Sequence, residues 1–315
     1  MKRISFVIPV YNEEDTIDIF YREFHNFFYS EINNKLYSYE LVFVNDGSKD
    51  KTGEILKKLY NTQPNITIVS LSRNFGKENA LFAGLEHSEG DIVIPIDVDL
   101  QHPLMVTKTM IEKYEEGYDV VLAKRKQREK DGFLKKFTSG QFYKVYNKIS
   151  KVKLEPNVGD FRLMTRKVVD EILRLKENQL FMKGIFNWVG FNSTIIEYNS
   201  EERVAGNTKF NGLKLWNLAL DGITSFSTMP IRVWLYIGSF IAFLSFILGT
   251  KVIIEKFFFG IEEHGYASII VSVFFIGGVQ LIGIGILGEY IGRIYMEVKR
   301  RPRYIVEKLL KNETK

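Results

Sequence analysis

A mostly parallel α/β sheet with flanking helices, followed by a two-helix membrane hairpin, is predicted by three observations. Short apolar runs closed by turn residues alternate with helical patterns through the N-terminal part. Two long stretches toward the C-terminus carry no charge. Acidic residues recur just beyond the ends of the apolar runs, where open α/β sheets bind their ligands.

The bulk properties agree with that class. The chain has 315 residues, 45% hydrophobic and 26% charged, enough to bury a large core and too apolar for wholesale disorder. It contains no cysteine and four histidines, so disulfides, thiolate zinc sites, iron–sulfur clusters and cysteine nucleophiles are excluded, and metal ligation falls to carboxylates and imidazoles. A formal net charge of +5 points to an anionic partner.

Taken in order, Ile4 to Val10 is a first strand closed by Pro9 and Asn12, and Glu13 to Tyr29 has a helical pattern. Glu40 to Val44 forms a second strand that stops at the turn Asn45-Asp46-Gly47-Ser48, with a helix capped near Ser48 or Asp50 behind it. Asn65 to Leu71, Asp91 to Ile96 and Asp119 to Ala123 continue the strand series. No internal repeat or low-complexity tract interrupts it.

The uncharged stretches Val233 to Thr250 and Tyr266 to Gly288 reach about 27 and 34 Å as helices, against a hydrocarbon core of about 30 Å. Trp234, Tyr236, Tyr266 and Tyr290 at their margins and the glycines 277, 278, 283 and 285 favour lipid over a soluble core. The connector Lys251 to Gly265 is short, so both ends lie on one side. Arg293, Lys299, Arg300, Arg301, Arg303 and Lys308 follow the second stretch while the connector has only Lys251 and Lys256, which predicts cytoplasmic termini. Met1 to Asn12 runs straight into a strand, so no leader is expected. Anionic headgroups, rather than nucleic acid, account for the basic tail.

Three strand ends deliver carboxylates to one edge: Glu13, Asp46 and the Asp97-Val98-Asp99 pair. Clustered carboxylates repel unless a cation or hydrogen-bonding ligand holds them. Mg²⁺ or Mn²⁺, bridging carboxylate and substrate diphosphate, suits Asp99 with the amide oxygen of Gln101. No glycine-rich phosphate loop is present, so diphosphate recognition falls to metal and to cations, with Arg125, Arg203 and Lys209 as candidates. Lys124, Lys126 and Lys130 read as solvated surface charge. Phe133, Leu134, Phe137, Phe142, Val145, Tyr146 and Ile149 interleave with lysines, a pattern shared by basic interfacial helices and ordinary amphipathic core helices. Leu213 to Phe226 is a second interfacial candidate.

The strings Val7-Ile8-Pro9-Val10-Tyr11-Asn12-Glu13-Glu14, Val44-Asn45-Asp46-Gly47-Ser48 and Asp97-Val98-Asp99-Leu100-Gln101-His102-Pro103 resemble glycosyltransferase family 2 with its GT-A fold. Arg73-Asn74-Phe75-Gly76-Lys77, Gly159-Asp160-Phe161-Arg162-Leu163-Met164, the 202–209 loop and Gly288-Glu289-Tyr290-Ile291-Gly292-Arg293 extend the likeness to the polyisoprenyl-phosphate branch, which contains bactoprenol glucosyltransferase and dolichol-phosphate mannose synthase. The resemblance implies that Pro9, Tyr11, Glu13, Asp46 and Asp97 hold the nucleotide part of a UDP-sugar, with Arg203 and Lys209 steadying the donor. It assigns Asp99 and Gln101 to the metal, Arg125, Lys135 and Ser139 to the acceptor phosphate, and Asp160, aided by Arg125, to catalysis. The string Asn187-Trp188 stands where processive relatives carry Q-x-x-R-W, which implies single transfer.

The expected organisation is a cytoplasmic GT-A domain at 1–211, an interfacial segment at 212–230, a transmembrane hairpin at 231–290 (about 233–254 and 266–288) and a basic cytoplasmic tail at 291–315. The expected reaction is inverting transfer of one hexose from UDP-glucose to undecaprenyl phosphate. UDP-N-acetylglucosamine or GDP-mannose as donor is the alternative, and a silent nucleotide-sugar sensor or flippase partner is the second. Membrane lipids are expected partners, nucleic acid is not, and the resemblance with the glycine-rich second span implies a homo-oligomer, a tetramer in the family's pattern.

Overall fold

The computed structural model describes residues 1–32, 36–126, 144, 146–150, 152–177, 181–201, 224, 227–259 and 265–311. In chain order these form β1 (Lys2–Val10), α1 (Ile17–Phe27) with a π-helical turn at Phe28–Ile32, β2 (Tyr37–Asn45), α2 (Thr52–Thr62), β3 (Ile66–Leu71), α3 (Lys77–Glu86), β4 (Ile92–Pro95), α4 (Met105–Glu115) and β5 (Val120–Arg125). They continue with β6 (Val158–Thr165), α5 (Arg166–Arg174), α6 (Met182–Trp188), β7 (Ser193–Tyr198), α7 (Met229–Phe259), α8 (Tyr266–Val298) and β8 (Val306–Lys311).

The strands make one sheet in the order β7-β5-β6-β4-β1-β2-β3-β8. β1 pairs in parallel with β2 and β4, and β2 with β3, so its centre is buried on both faces and reads as continuous apolar runs. The expected GT-A-like α/β architecture is therefore present. β6 enters antiparallel between β4 and β5, a strand that the alternation of patterns did not reveal.

One face of the sheet carries Ile4, Phe6, Ile8, Leu41 and Phe43, packed under α1, α2 and α4. In α1 the residues Phe20, Phe24 and the following Phe28 recur every fourth position, giving the helix a single aromatic stripe. Phe24 meets Phe6 edge to face at 4.6 Å between centroids, and truncating such a side chain costs about 3–5 kcal/mol. The helix begins later than Glu13, because Asn12 at φ +52° turns the chain and Thr16 N–H closes onto the Glu13 carbonyl at 3.1 Å.

The other face holds Val7, Val44, Val69 and α3. Gly84 sets how closely α3 approaches, since a Cβ there would fall 2.2 Å from Val7 Cγ1. The missing side chain lets the helix lie directly on β1 and β2, which fixes its N-terminus beside the strand ends.

The segment expected to trail as a basic tail does not hang free. α8 continues unbroken past Gly288 to Val298, and β8 then pairs antiparallel with β3, matching Ser70 with Lys308 and Val69 with Leu309. Apolar residues drive this return: Tyr304 and Val306 pack on one face of the sheet and Leu310 on the other. Arg303 anchors the approach, its Nε donating to the Glu177 carbonyl at 2.7 Å and its guanidinium lying 4.0 Å from the Phe82 ring centre.

α7 and α8, of 31 and 33 residues, reach about 46 and 50 Å, longer than a bilayer core. Their most apolar windows, Met229–Leu248 and Val271–Val298, have mean hydropathies of 2.0 and 2.1 and are long enough to cross a membrane. Phe240, Phe243, Phe246, Phe274 and Phe275 stand exposed along them. Trp234 packs so tightly on Gly283 that a Cβ there would lie 2.0 Å from the indole nitrogen, the close approach that small residues permit between such helices. Tyr290 Oη donates to the Ser227 carbonyl at 2.7 Å, and Ser227 Oγ donates to the Ile149 carbonyl at 2.9 Å, tying the helix bases to the α/β part.

Most of both expected interfacial segments, and Lys135, Ser139, Arg203 and Lys209 with them, lies outside the described residues. Tyr146, read as a candidate lipid-facing residue, is fully buried, its ring 6.4 Å from that of Phe181. At that position the core reading of the amphipathic pattern is the one the fold adopts.

Candidate functional site

The carboxyl ends of β1, β2, β3 and β4 form one edge, and two clefts open there. The wider, of about 870 Å³, is lined by Tyr11, Asn45, Ser48, Arg73 and, from β8, Glu307 and Lys308. The second is a slot of about 10 Å³ between Pro9, Lys77, Asp97, His102 and Asp160.

Asp46 stands between β2 and the loop that leads into α3. Its Oδ1 accepts the Phe75 N–H at 2.7 Å and its Oδ2 the Gly76 N–H at 2.9 Å. Burial pushes this carboxyl up, while those two amides and Arg73 pull the other way. Next to it Gly47, at φ +65°, lies so close to the same loop that a Cβ would fall 2.4 Å from the Arg73 carbonyl carbon. The Asp-Gly pair thus welds the end of β2 to the loop after β3. Glu13 is engaged locally: its N–H donates to Thr52 Oγ1 at 2.9 Å and its carboxylate accepts Thr16 Oγ1 at 3.2 Å.

Asp97 follows β4 directly. Lys77 Nζ lies 2.7 Å from its Oδ1 and 2.9 Å from its Oδ2, and the same ammonium reaches Asp160 Oδ2 at 3.3 Å. The antiparallel register that matches Ile92 with Thr165 and Val93 with Met164, extended along both strands, sets Asp97 opposite Asp160. Burial opposes ionisation of Asp97, but Lys77 and then His102 override it and hold the carboxyl well below the usual range. Lys77 is in turn held charged: burial works against it, and Asp97 and Asp160 more than compensate.

Asp160 is partnered by Lys77 rather than by its sequence neighbour Arg162. Arg162 points into the core, donating from Nη2 to the Gly159 carbonyl at 2.6 Å with its guanidinium 4.0 Å from the Phe186 ring centre. Burial lowers this guanidinium to about 10, with Asp160 opposing.

Asp99 is buried, and its Oδ1 accepts the Gln101 N–H at 3.1 Å. Among the described residues no three carboxylate or histidine side chains converge as a ready-made ion site. The donor set still suits a hard divalent ion, which takes one or two carboxylates and completes its shell with diphosphate oxygens and water. Arg125 ends β5, its N–H donating to the Asn157 carbonyl at 3.0 Å, on the Tyr198 side of the edge.

Three residues join this neighbourhood that were absent from the expected set. Lys77 and His102 sat inside the quoted motifs without a role assigned to them. His102 Nδ1 and Tyr198 Oη lie 2.7 Å apart, and the imidazole stacks on Phe161 at 4.7 Å with Nε2 3.7 Å from Asp97. Burial pushes the Tyr198 phenol up to about 12, Arg125 opposing. Tyr198 had no local signal, since only the pairing of β7 with β5 brings it to the edge.

Residues 5–173 match the family described as Glycosyl transferase family 2. The chain is 58% identical over 306 residues to the SfII prophage-derived bactoprenol glucosyl transferase of Shigella flexneri, covering 97% of this chain and 98% of that protein. It is 55% identical over 309 residues to the prophage bactoprenol glucosyl transferase homolog of Escherichia coli (strain K12), covering 98% and 100%. Among solved structures, mannosyl-3-phosphoglycerate synthase from Rubrobacter xylanophilus shares the fold at a TM-score of 0.50 and 16% identity, over 70% of this chain and 71% of that one.

Proposed function

The chain belongs to glycosyl transferase family 2, and from that premise we propose that it moves one glucose from UDP-glucose to undecaprenyl phosphate, inverting the anomeric centre. The observation that carries the acceptor and the sugar is the 58% identity, across nearly the full length of both chains, to a relative named as a bactoprenol glucosyl transferase. UDP as carrier rests on the family resemblance and on a cleft wide enough for a nucleotide.

In this reading Tyr11, Pro9, Glu13, Asp46 and Asp97 form the nucleotide side, with Asp46 acting by fixing the loop that walls it. Arg203 and Lys209 steady the donor from the 202–209 loop. A bound Mg²⁺ or Mn²⁺, held by Asp99 and Gln101, would neutralise the leaving diphosphate. The acceptor is a phosphate monoester with a second pKa of about 6, so its oxygen is already nucleophilic near neutrality. That oxygen bonds to the anomeric carbon as the bond to the UDP oxygen breaks on the opposite face, turning an α-linked donor into a β-linked lipid. Arg125, with Lys135 and Ser139, offsets the repulsion between the two phosphate groups. Asp160 orients the reacting groups rather than removing a proton.

An isoprenoid acceptor requires a bilayer, and α7 and α8 supply the anchor as a transmembrane hairpin. The basic residues after α8 favour the cytoplasmic leaflet, placing both termini and the α/β domain in the cytoplasm. The full assembly is a homo-oligomer. Purified protein, undecaprenyl phosphate and a panel of labelled nucleotide sugars test the reaction: label from UDP-glucose entering organic-extractable lipid, and lost with EDTA, is expected. Labelling by another nucleotide sugar alone would replace the donor, and binding without transfer would replace the reaction with a sensor.

A further inference from the structure

Lys77 stands in an unusual place for a cation. It is the first residue of α3, where free N–H groups and the helix dipole already carry positive character and disfavour a second positive charge. Three features built by the fold put it there. Asp46 binds the N–H groups of the two residues before it. Gly76, at φ +95°, makes the bend into the helix that a side chain would strain. Gly84 lets α3 settle on Val7 and Val44, which carries its first turn over the slot between β4 and β6.

The ammonium therefore occupies the one point between Asp97 and Asp160, bonded to both. Its three donors can serve two carboxylates at once. Lys77, Asp97 and Asp160 keep 46%, 33% and 28% of their side chains open to solvent, so the ammonium excludes an ion by its charge and by its place between the two carboxylates, not by lack of space. A divalent ion and the lysine thus compete for the same negative charge, which Lys77 holds between the two carboxylates.

We propose that Lys77 is a positioning residue that acts as an internal counter-cation: it keeps Asp97 and Asp160 together, keeps their charge from adding to Asp99 and Gln101 around a divalent ion until a nucleotide diphosphate arrives, and then turns its ammonium to that diphosphate. The proposal rests on the nucleotide-sugar reading for its last step only. The diphosphate supplies the negative charge that draws Lys77 away, and Asp97 and Asp160 are released together. Metal and donor then enter in one coupled event, so an ion alone does not occupy the site. Asp46 acts through the same device, since the loop it grips carries Lys77.

The experiment uses the full chain in detergent or nanodiscs, with Mn²⁺ binding followed by electron paramagnetic resonance, first without nucleotide and then with UDP. Lys77→Met and Lys77→Gln are expected to bind Mn²⁺ alone about tenfold more tightly than the parent, as Asp97 and Asp160 then lose the ammonium they share and Asp97 keeps only His102 beside it. The same variants should bind UDP several-fold more weakly at saturating Mn²⁺, and Lys77→Arg should restore weak binding of the ion alone. A merely structural lysine would weaken both affinities together. Unchanged or weaker Mn²⁺ binding in either variant, with its thermal transition retained, overturns the proposal. Should Lys77→Met fail to fold, Lys77→Gln, which keeps hydrogen-bond donors, carries the comparison. The arm without nucleotide decides the clamp whatever sugar the protein transfers, so failure of glucosyl transfer with tightened Mn²⁺ binding would count against the proposed reaction and leave the clamp standing.

Discussion

Ser70 and Lys308 face each other across an antiparallel pair although two long apolar helices separate them in the chain. That pairing makes the polypeptide leave the sheet, run through both helices and come back to close its edge, with Glu307 and Lys308 on the wall of the wide cleft. The two long apolar helices and the wide cleft are thereby parts of one continuous structure.

Removing the residues after Tyr304 should therefore impair binding and not merely trim a tail. Loss of one cleft wall and exposure of the β3 edge are expected to weaken UDP affinity about tenfold, equivalent to about 1.4 kcal/mol. Titration of UDP into the truncated protein measures this, and an unchanged affinity would show that β8 plays no part in the cleft.

Asp99→Asn tests the metal assignment. The side chain is buried at the strand end and engaged with the Gln101 N–H, which an amide oxygen can still accept, so the fold should survive. Transfer to lipid should fall by about two orders of magnitude or more with the melting transition kept. Undiminished turnover in the presence of metal would remove Asp99 from that role.

Gly47→Ala probes the weld between β2 and the loop after β3. The position has φ +65°, and the added carbon would meet Arg73 backbone at 2.4 Å, so that loop must move. A destabilisation of about 1–3 kcal/mol is expected in chemical denaturation, with weaker nucleotide binding because Arg73 lines the cleft. A variant as stable as the parent would mean that the close approach is relieved without cost.

Acid should loosen the β8 edge through Glu89. The hydrogen bond from Lys311 lowers this carboxyl, burial opposing, so the folded protein holds the proton less firmly than the unfolded chain. The sign follows: the pair stabilises above the ordinary glutamate pKa, and the benefit fades as pH drops through the lowered value. Because both groups are partly exposed the effect is small, under about 1 kcal/mol. Glu89→Gln should be slightly less stable than the parent at pH 7, with the difference fading as the pH falls below the ordinary glutamate range. A difference that persists in acid would assign the loss to packing.

Local chemistry made much of the molecule legible. β1 to β5 follow from apolar runs and turn residues, α7 and α8 from stretches without charge, and Asp97 and Asp99 from their place just past β4. Each of these signals is contained within a short window, because side-chain periodicity and turn geometry depend on neighbours in the chain. The absence of cysteine and the metal-suited carboxylates belong to the same category.

What the chain alone left open was decided by pairing between distant segments. β6 in antiparallel register with β4 puts Asp160 opposite Asp97, β7 beside β5 brings Tyr198 to His102, and β8 against β3 turns an apparent tail into a cleft wall. Lys77 has no role that its neighbours in the chain reveal, and becomes the bridge between two carboxylates only when Gly84 lets α3 close on the sheet. Sequence patterns fix which residues want burial and where the chain turns. Register and helix approach depend on packing summed over the whole core, and it is those that bring the site's charges together.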